Sequence, residues 1–184
     1  MATETERKWL LANDTWRDQV NPELDRHIIQ GYLSLDPERT VRVRISRSRD
    51  GGNLDSRITV KGKAFGPDSI SRTEVETTIP YQVALDLLPF CVATITKVRH
   101  VLPVSTEGTG STSIGTAVFE IDEFTDRHQG LVVCELELDT PRSPHPEPSW
   151  LGEEVSHDHR YYNSALAVAA TPPIPSRRPY SITP

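Results

Sequence analysis

Glutamate and lysine recur at every second residue near the start of the chain, as Glu4, Glu6 and Lys8. The same spacing returns in Arg42/Arg44, Arg72/Glu74/Glu76, Lys97/Arg99, Glu120/Asp122 and Glu135/Glu137. These residue types serve two linked kinds of chemistry. Arginine grips phosphate oxygens in pairs and lysine acts as a point charge, so rows of cations suit a polyanion. Carboxylate oxygens suit Mg²⁺ or Mn²⁺, ions often shared with substrate phosphates. Glu4, Glu6, Glu135 and Glu137 are accordingly the candidate metal ligands. Such an ion acidifies a bound water and neutralises a phosphoryl group during transfer.

Side chains two apart on a strand share one face, so strands must position these groups. Strand-like alternation is expected in eight segments: 3–10, 27–35, 40–47, 56–63, 71–79, 94–101, 116–124 and 131–139. Val41, Val43 and Ile45 alternate with Arg42 and Arg44 in the clearest of them. Asp50-Gly51-Gly52-Asn53 reads as a hairpin turn. Pro80 followed by Val83, Ala84, Leu87 and Leu88 changes the period to that of a short amphipathic helix. Ser105 to Gly115 reads as a connecting loop, because no Lys-Ser/Thr follows its glycines as a P-loop requires. A second helix is expected from about His159 to Ala169, capped by Ser156 or Asp158. The expected fold is mainly β: a closed eight-stranded antiparallel barrel with flanking helices, one of them C-terminal. Spacing alone allows either face to point inward. Charged faces turned out would be solvated, and charged faces turned in would make a polar tunnel.

With 184 residues the chain is long enough for one domain, taken as 1–170, followed by a proline-rich tail at 171–184. A formal net charge of −6 argues against a general nucleic-acid or anionic-membrane binder. Cys91 and Cys134 lie in apolar surroundings without metal-ligand spacing and read as reduced core thiols. Met1 to Leu11 is too charged for a signal peptide, which makes the cytoplasm the expected location. His157 and His159 sit beside a helix start and are given no role.

The ordered series of motifs resembles the CYTH superfamily, the triphosphate tunnel metalloenzymes, from Glu4 to about Ala169. The matching stretches are Glu4-Thr5-Glu6-Arg7-Lys8, Gln30-Gly31-Tyr32-Leu33, Val41-Arg42-Val43-Arg44, Thr59-Val60-Lys61-Gly62 and Ser71-Arg72-Thr73-Glu74-Val75-Glu76. Thr96-Lys97-Val98-Arg99, Phe119-Glu120-Ile121-Asp122, Glu135-Leu136-Glu137, Trp150-Leu151-Gly152-Glu153-Glu154-Val155 and Arg160-Tyr161-Tyr162-Asn163 complete it. The resemblance implies Mg²⁺- or Mn²⁺-dependent hydrolysis of tripolyphosphate to pyrophosphate and phosphate inside a charged tunnel. It implies that Lys8, Arg42, Arg44, Lys61, Arg72, Lys97, Arg99 and Arg160 bind substrate, and that Glu4, Glu6, Lys8 and Lys97 carry the chemistry. Tyr32, Glu74, Glu76, Glu120, Asp122 and Tyr162 would complete the lumen. A small triphosphate is then the expected partner, with a homodimer as the expected assembly and neither nucleic acid nor membrane. Other activities open within this family are a class IV adenylate cyclase and a thiamine or nucleoside triphosphatase. A non-catalytic polyphosphate-binding module is the alternative from another class.

Overall fold

The computed structural model describes residues 2–66, 69–107 and 115–173. Among these, nine strands share one antiparallel sheet: β1 (Ala2–Leu11), β2 (Arg26–Ser34), β3 (Arg39–Ser48), β4 (Leu54–Phe65), β5 (Ser71–Thr78), β6 (Ala93–Ser105), β7 (Thr116–Phe124), β8 (Val132–Glu137) and β9 (Leu151–Glu154). Their order is β5-β4-β3-β2-β6-β7-β8-β1-β9, and β1 also pairs with β5. Eight strands therefore close into a barrel. Residues 2–5 of β1 pair with β5, and further along the same strand Trp9 and Leu11 pair with β9.

β9 is the element that the alternation does not reveal. Its four residues, Leu-Gly-Glu-Glu, are too few to show a period. Gly152 is required there, because a Cβ at that position would meet the Leu10 carbonyl oxygen at 2.8 Å. The expected helix at 159–169 is also shorter than its sequence suggests. A 3-10 turn spans His159–Tyr161, Tyr162 adopts an extended backbone, and α2 covers only Asn163–Leu166. Asp158 does cap the 3-10 turn, accepting from the Arg160 N–H. Ser156 instead accepts from the Lys8 N–H and ties this segment to β1. From residue 174 onward the proline-rich tail lies outside the described residues, as do 108–114 of the 105–115 loop.

Apolar residues of the strands face outward under two covers, which is why the charged set can face in. Helix α1 (Tyr81–Leu87) lies over β3 and β4, where Val43, Ile45 and Ala84 are buried together. Trp16 and Trp150, both almost fully buried, cover the outer faces of β1 and β6 to β8 through contacts with Trp9, Leu102, Phe119 and Ile121. Each such large side chain contributes about 1.5–3 kcal/mol on leaving water. A third cluster lies inside the barrel. Leu10, Ile95, Phe124 and Val133 point inward at one end and pack on Leu166 and Ala167 beyond α1 in sequence, in and after α2. An apolar floor thus closes that end. No helix among the described residues is long and apolar enough to cross a membrane.

Candidate functional site

Above that floor, the inward positions converge on one cavity of about 1140 Å³. β1 contributes Glu4, Glu6 and Lys8, β2 Tyr32, β3 Arg42 and Arg44, β4 Lys61, and β5 Arg72, Glu74 and Glu76. β6 adds Arg99, β7 Glu120 and β8 Glu135 and Glu137, while Tyr162 enters from the C-terminal segment. The register explains the convergence: Tyr32 stands opposite Arg42, Arg42 opposite Thr59, and Thr59 opposite Glu76. Directly paired residues on neighbouring strands project to the same side.

Three expected site residues lie elsewhere. Lys97 and Asp122 have inward parity but sit behind the cavity wall, ion-paired to each other and 1% and 0% exposed. They fall one rung nearer the apolar floor, with Lys97 Nζ 5.6 Å from the Phe124 ring centroid. Arg160 points away from the cavity, more than half exposed and bound to Asp158 at 2.5 Å. Residues with no expected role also join the lining, among them Arg57, Asp139 and Asn163. Arg57 shares the beat of Thr59 and Lys61, so its spacing carried the signal. Ser143, Pro144 and His145 from the proline-rich crossing complete the rim.

The charges are paired across the lumen. Lys61 lies 2.6 Å from Glu4 and 2.8 Å from Glu74, and Arg72 lies 2.9 Å from Glu4. Lys8 pairs with Glu135 and, at 2.9 Å, with Glu6. Burial opposes ionisation of Glu4, yet Lys61 and Arg72 hold its carboxyl well below the usual range. Burial also opposes the charge on Lys8, but Glu135 and Glu6 more than offset it and raise its pKa. Lys8 is therefore a fixed cation, not a proton donor.

Glu76 is the hub of the arginine-rich side. It accepts from Arg57 at 2.6 Å, Thr59 at 2.7 Å and Arg42 at 3.2 Å, with Arg44 at 3.5 Å. Burial alone would raise its pKa, but the Thr59 and Arg57 hydrogen bonds and the Arg44 and Arg42 charges bring it down to about 2. The folded pKa lies below the unfolded one, so its stabilisation is complete above pH 4.5 and is lost as pH falls towards about 2. Thermal melts of Glu76→Gln should accordingly show a shallower loss of melting temperature over that interval than the parent protein. Parallel curves would remove Glu76 as the hub.

Glu6 and Glu137 behave differently from Glu4 and Glu76. They stand directly opposite each other on β1 and β8, where like charges repel. Burial, with Glu135 and then Glu4 outweighing Lys8, raises the Glu6 pKa. Burial together with Glu4, Glu74 and Glu120 raises that of Glu137. Among the described residues no Lys or Arg forms an ion pair with Glu137. Opposed hard-oxygen donors whose charges are destabilised fit a hard divalent cation. No three such groups among the described residues already converge as a finished metal cage, because Glu4 and Glu6 are turned to lysine and arginine. Glu4 and Glu135 fit less well: Lys61 holds both oxygens of Glu4 and Arg72 one of them, and both oxygens of Glu135 are taken, by Lys8 and Asn163 on one and Arg99 at 2.6 Å on the other.

A family model described as the CYTH domain matches residues 2–165. An inorganic triphosphatase of Acetivibrio thermocellus is 34% identical over 168 residues, covering 90% of this chain and 94% of that protein. An inorganic triphosphatase of Nitrosomonas europaea is 29% identical over 174 residues, covering 91% and 98%. The crystal structure of the inorganic triphosphatase NE1496 superposes with a TM-score of 0.56 at 26% identity, covering 90% of this chain and 98% of that one.

Proposed function

The chain belongs to the CYTH domain family, and on that premise we propose that it is an inorganic triphosphatase working with Mg²⁺ or Mn²⁺. The observation that carries this reading is the charge balance of the cavity. Seven Lys or Arg side chains and eight carboxylates, seven Glu and Asp139, line it among the described residues. A triphosphate alone would leave that lumen strongly negative, whereas divalent cations bound with it offset that charge. A pure anion receptor has no use for eight carboxylates, which oppose anion binding.

In this reading Glu6 and Glu137 hold the cation, Glu4 joins them when substrate draws Lys61 and Arg72 away from it, and Glu135 positions Lys8 and Arg99. When bound, the cation supplies an acidified water and neutralises charge on the phosphoryl group. Arg42, Arg44, Arg57 and Arg72 bind phosphate oxygens in their planar forks, and Lys8 and Lys61 add point charges. Water oxygen bonds to the terminal phosphorus and gives up a proton to solvent, the bridging P–O bond breaks with its electron pair left on the bridging oxygen, and pyrophosphate and phosphate leave. Lys97 keeps Asp122 and thereby Arg99 in place from behind the wall. Residues 1–170 form the catalytic unit, and the protein acts in the cytoplasm on a small, diffusible substrate.

Phosphate release by the full chain from tripolyphosphate, ATP and thiamine triphosphate, each with Mg²⁺, Mn²⁺ or EDTA, tests the proposal. Tripolyphosphate should be the preferred substrate and EDTA should abolish turnover. Preference for ATP, or tight metal-independent binding with no release, would overturn it.

A further inference from the structure

We infer that Asn163 is a positioning residue for this reaction, fixing the carboxylate that presents Lys8 and Arg99 to the cavity. The inference rests on the triphosphatase reading above and concerns a residue that reading leaves without a role.

Asn163 opens α2, and its amide bridges two charged groups of opposite sign. Lys97 Nζ donates to Asn163 Oδ1 at 3.2 Å, and Asn163 Nδ2 donates to Glu135 Oε1 at 3.2 Å. The orientation of the amide is not arbitrary. An ammonium can only donate and an ionised carboxylate can only accept, so a flipped amide would lose both bonds. Lys8 and Arg99 also donate to Glu135, so its carboxylate is the acceptor required.

These bonds close a ring. Lys97 pairs with Asp122, and Asp122 accepts from Arg99 Nε and Nη2, both at 2.7 Å. Arg99 Nη2 also reaches Glu135 Oε2 at 2.6 Å, and Asn163 returns the circuit from Glu135 to Lys97. Asn163 is the uncharged member and the one that does not come from a barrel strand. Its neighbours hold it firmly. Leu166 and Ala167 are buried in the apolar floor, His128 Nε2 lies 2.7 Å from the Leu166 carbonyl oxygen, and Arg127 Nη2 donates to the Ala167 carbonyl at 2.6 Å.

The consequence is specific to an amide. Alanine leaves Lys97 and Glu135 each short of a partner, freeing the Glu135 carboxylate to rotate. Aspartate has the same shape but cannot donate, and it sets a second negative charge against Glu135. Either change moves Lys8 Nζ and the Arg99 fork relative to the reacting phosphate without touching the rest of the phosphate-binding set.

Steady-state tripolyphosphate hydrolysis and thermal melts of the full chain, N163A and N163D test this. Both variants should lower kcat roughly 10–100-fold with KM changed less than about threefold, since small misplacements act mainly on the transition state. N163D should be the slower. The isosteric N163D decides the matter if N163A does not fold. A lowered melting temperature with kcat unchanged would make Asn163 merely structural and overturn the inference. A raised KM with kcat unchanged would make it a substrate contact and overturn it equally. A parent protein that fails to hydrolyse tripolyphosphate overturns the underlying function and this inference together, so the two failures are distinguishable.

Discussion

Glu137→Gln is expected to lower metal-dependent turnover of tripolyphosphate by roughly 10²–10³-fold, the scale seen when one preorganised electrostatic group is removed from a reaction centre. The same substitution should leave the melting temperature unchanged or slightly higher. Glu137 has no cation paired to it among the described residues, and burial together with Glu4, Glu74 and Glu120 already disfavours its charge. Neutralising it orphans no lysine or arginine and relieves repulsion from Glu4, Glu74 and Glu120. Loss of activity without loss of stability is the signature of a group kept for chemistry. Phosphate release titrated with Mn²⁺, alongside thermal melts, reads both quantities. Parental turnover in Glu137→Gln would remove Glu137 from the metal-binding set.

Arg99→Met should have the opposite signature, a loss of stability of about 3–5 kcal/mol, as when one partner of a buried charge set is removed. Arg99 donates to Asp122, Glu135 and Glu120 at once. Asp122 and Glu135 have side chains only 0% and 5% exposed, so water cannot replace the missing guanidinium. Lys97 and Lys8 remain beside them but cannot reproduce a planar fork that binds both. Such a loss is a large part of the 5–15 kcal/mol typical of a whole domain. Urea denaturation measures it directly. A change below about 1 kcal/mol, the level of an exposed ion pair, would show that the ring is not a structural unit.

Much of this architecture was legible in the spacing because a strand has a side-chain period of two. Arg42 and Arg44 alternating with Val41, Val43 and Ile45 defined two faces, and only one of them could be covered by apolar helices. Depth along the barrel was not legible. Lys97 and Arg99 have the same parity, yet one is sealed against Phe124 and the other reaches the cavity, because parity says nothing of height above the floor. Arg57 was passed over because its neighbours in the beat, Asp55 and Thr59, are not cations. Asn163 stands in a stretch that carries the resemblance, yet spacing gives it no role, because its partners are 66 and 28 positions away. Arg160 came from resemblance rather than from spacing, and its side chain spends its charge on Asp158.

The greasy layer formed by Leu10, Ile95, Phe124 and Val133 with Leu166 and Ala167 makes the barrel a flask instead of a pipe. Among the described residues that end is sealed, so pyrophosphate has to vacate the cationic wall towards the other end before another chain can settle there. In such a vessel the fragment that resembles the reactant most is its strongest competitor for the same wall.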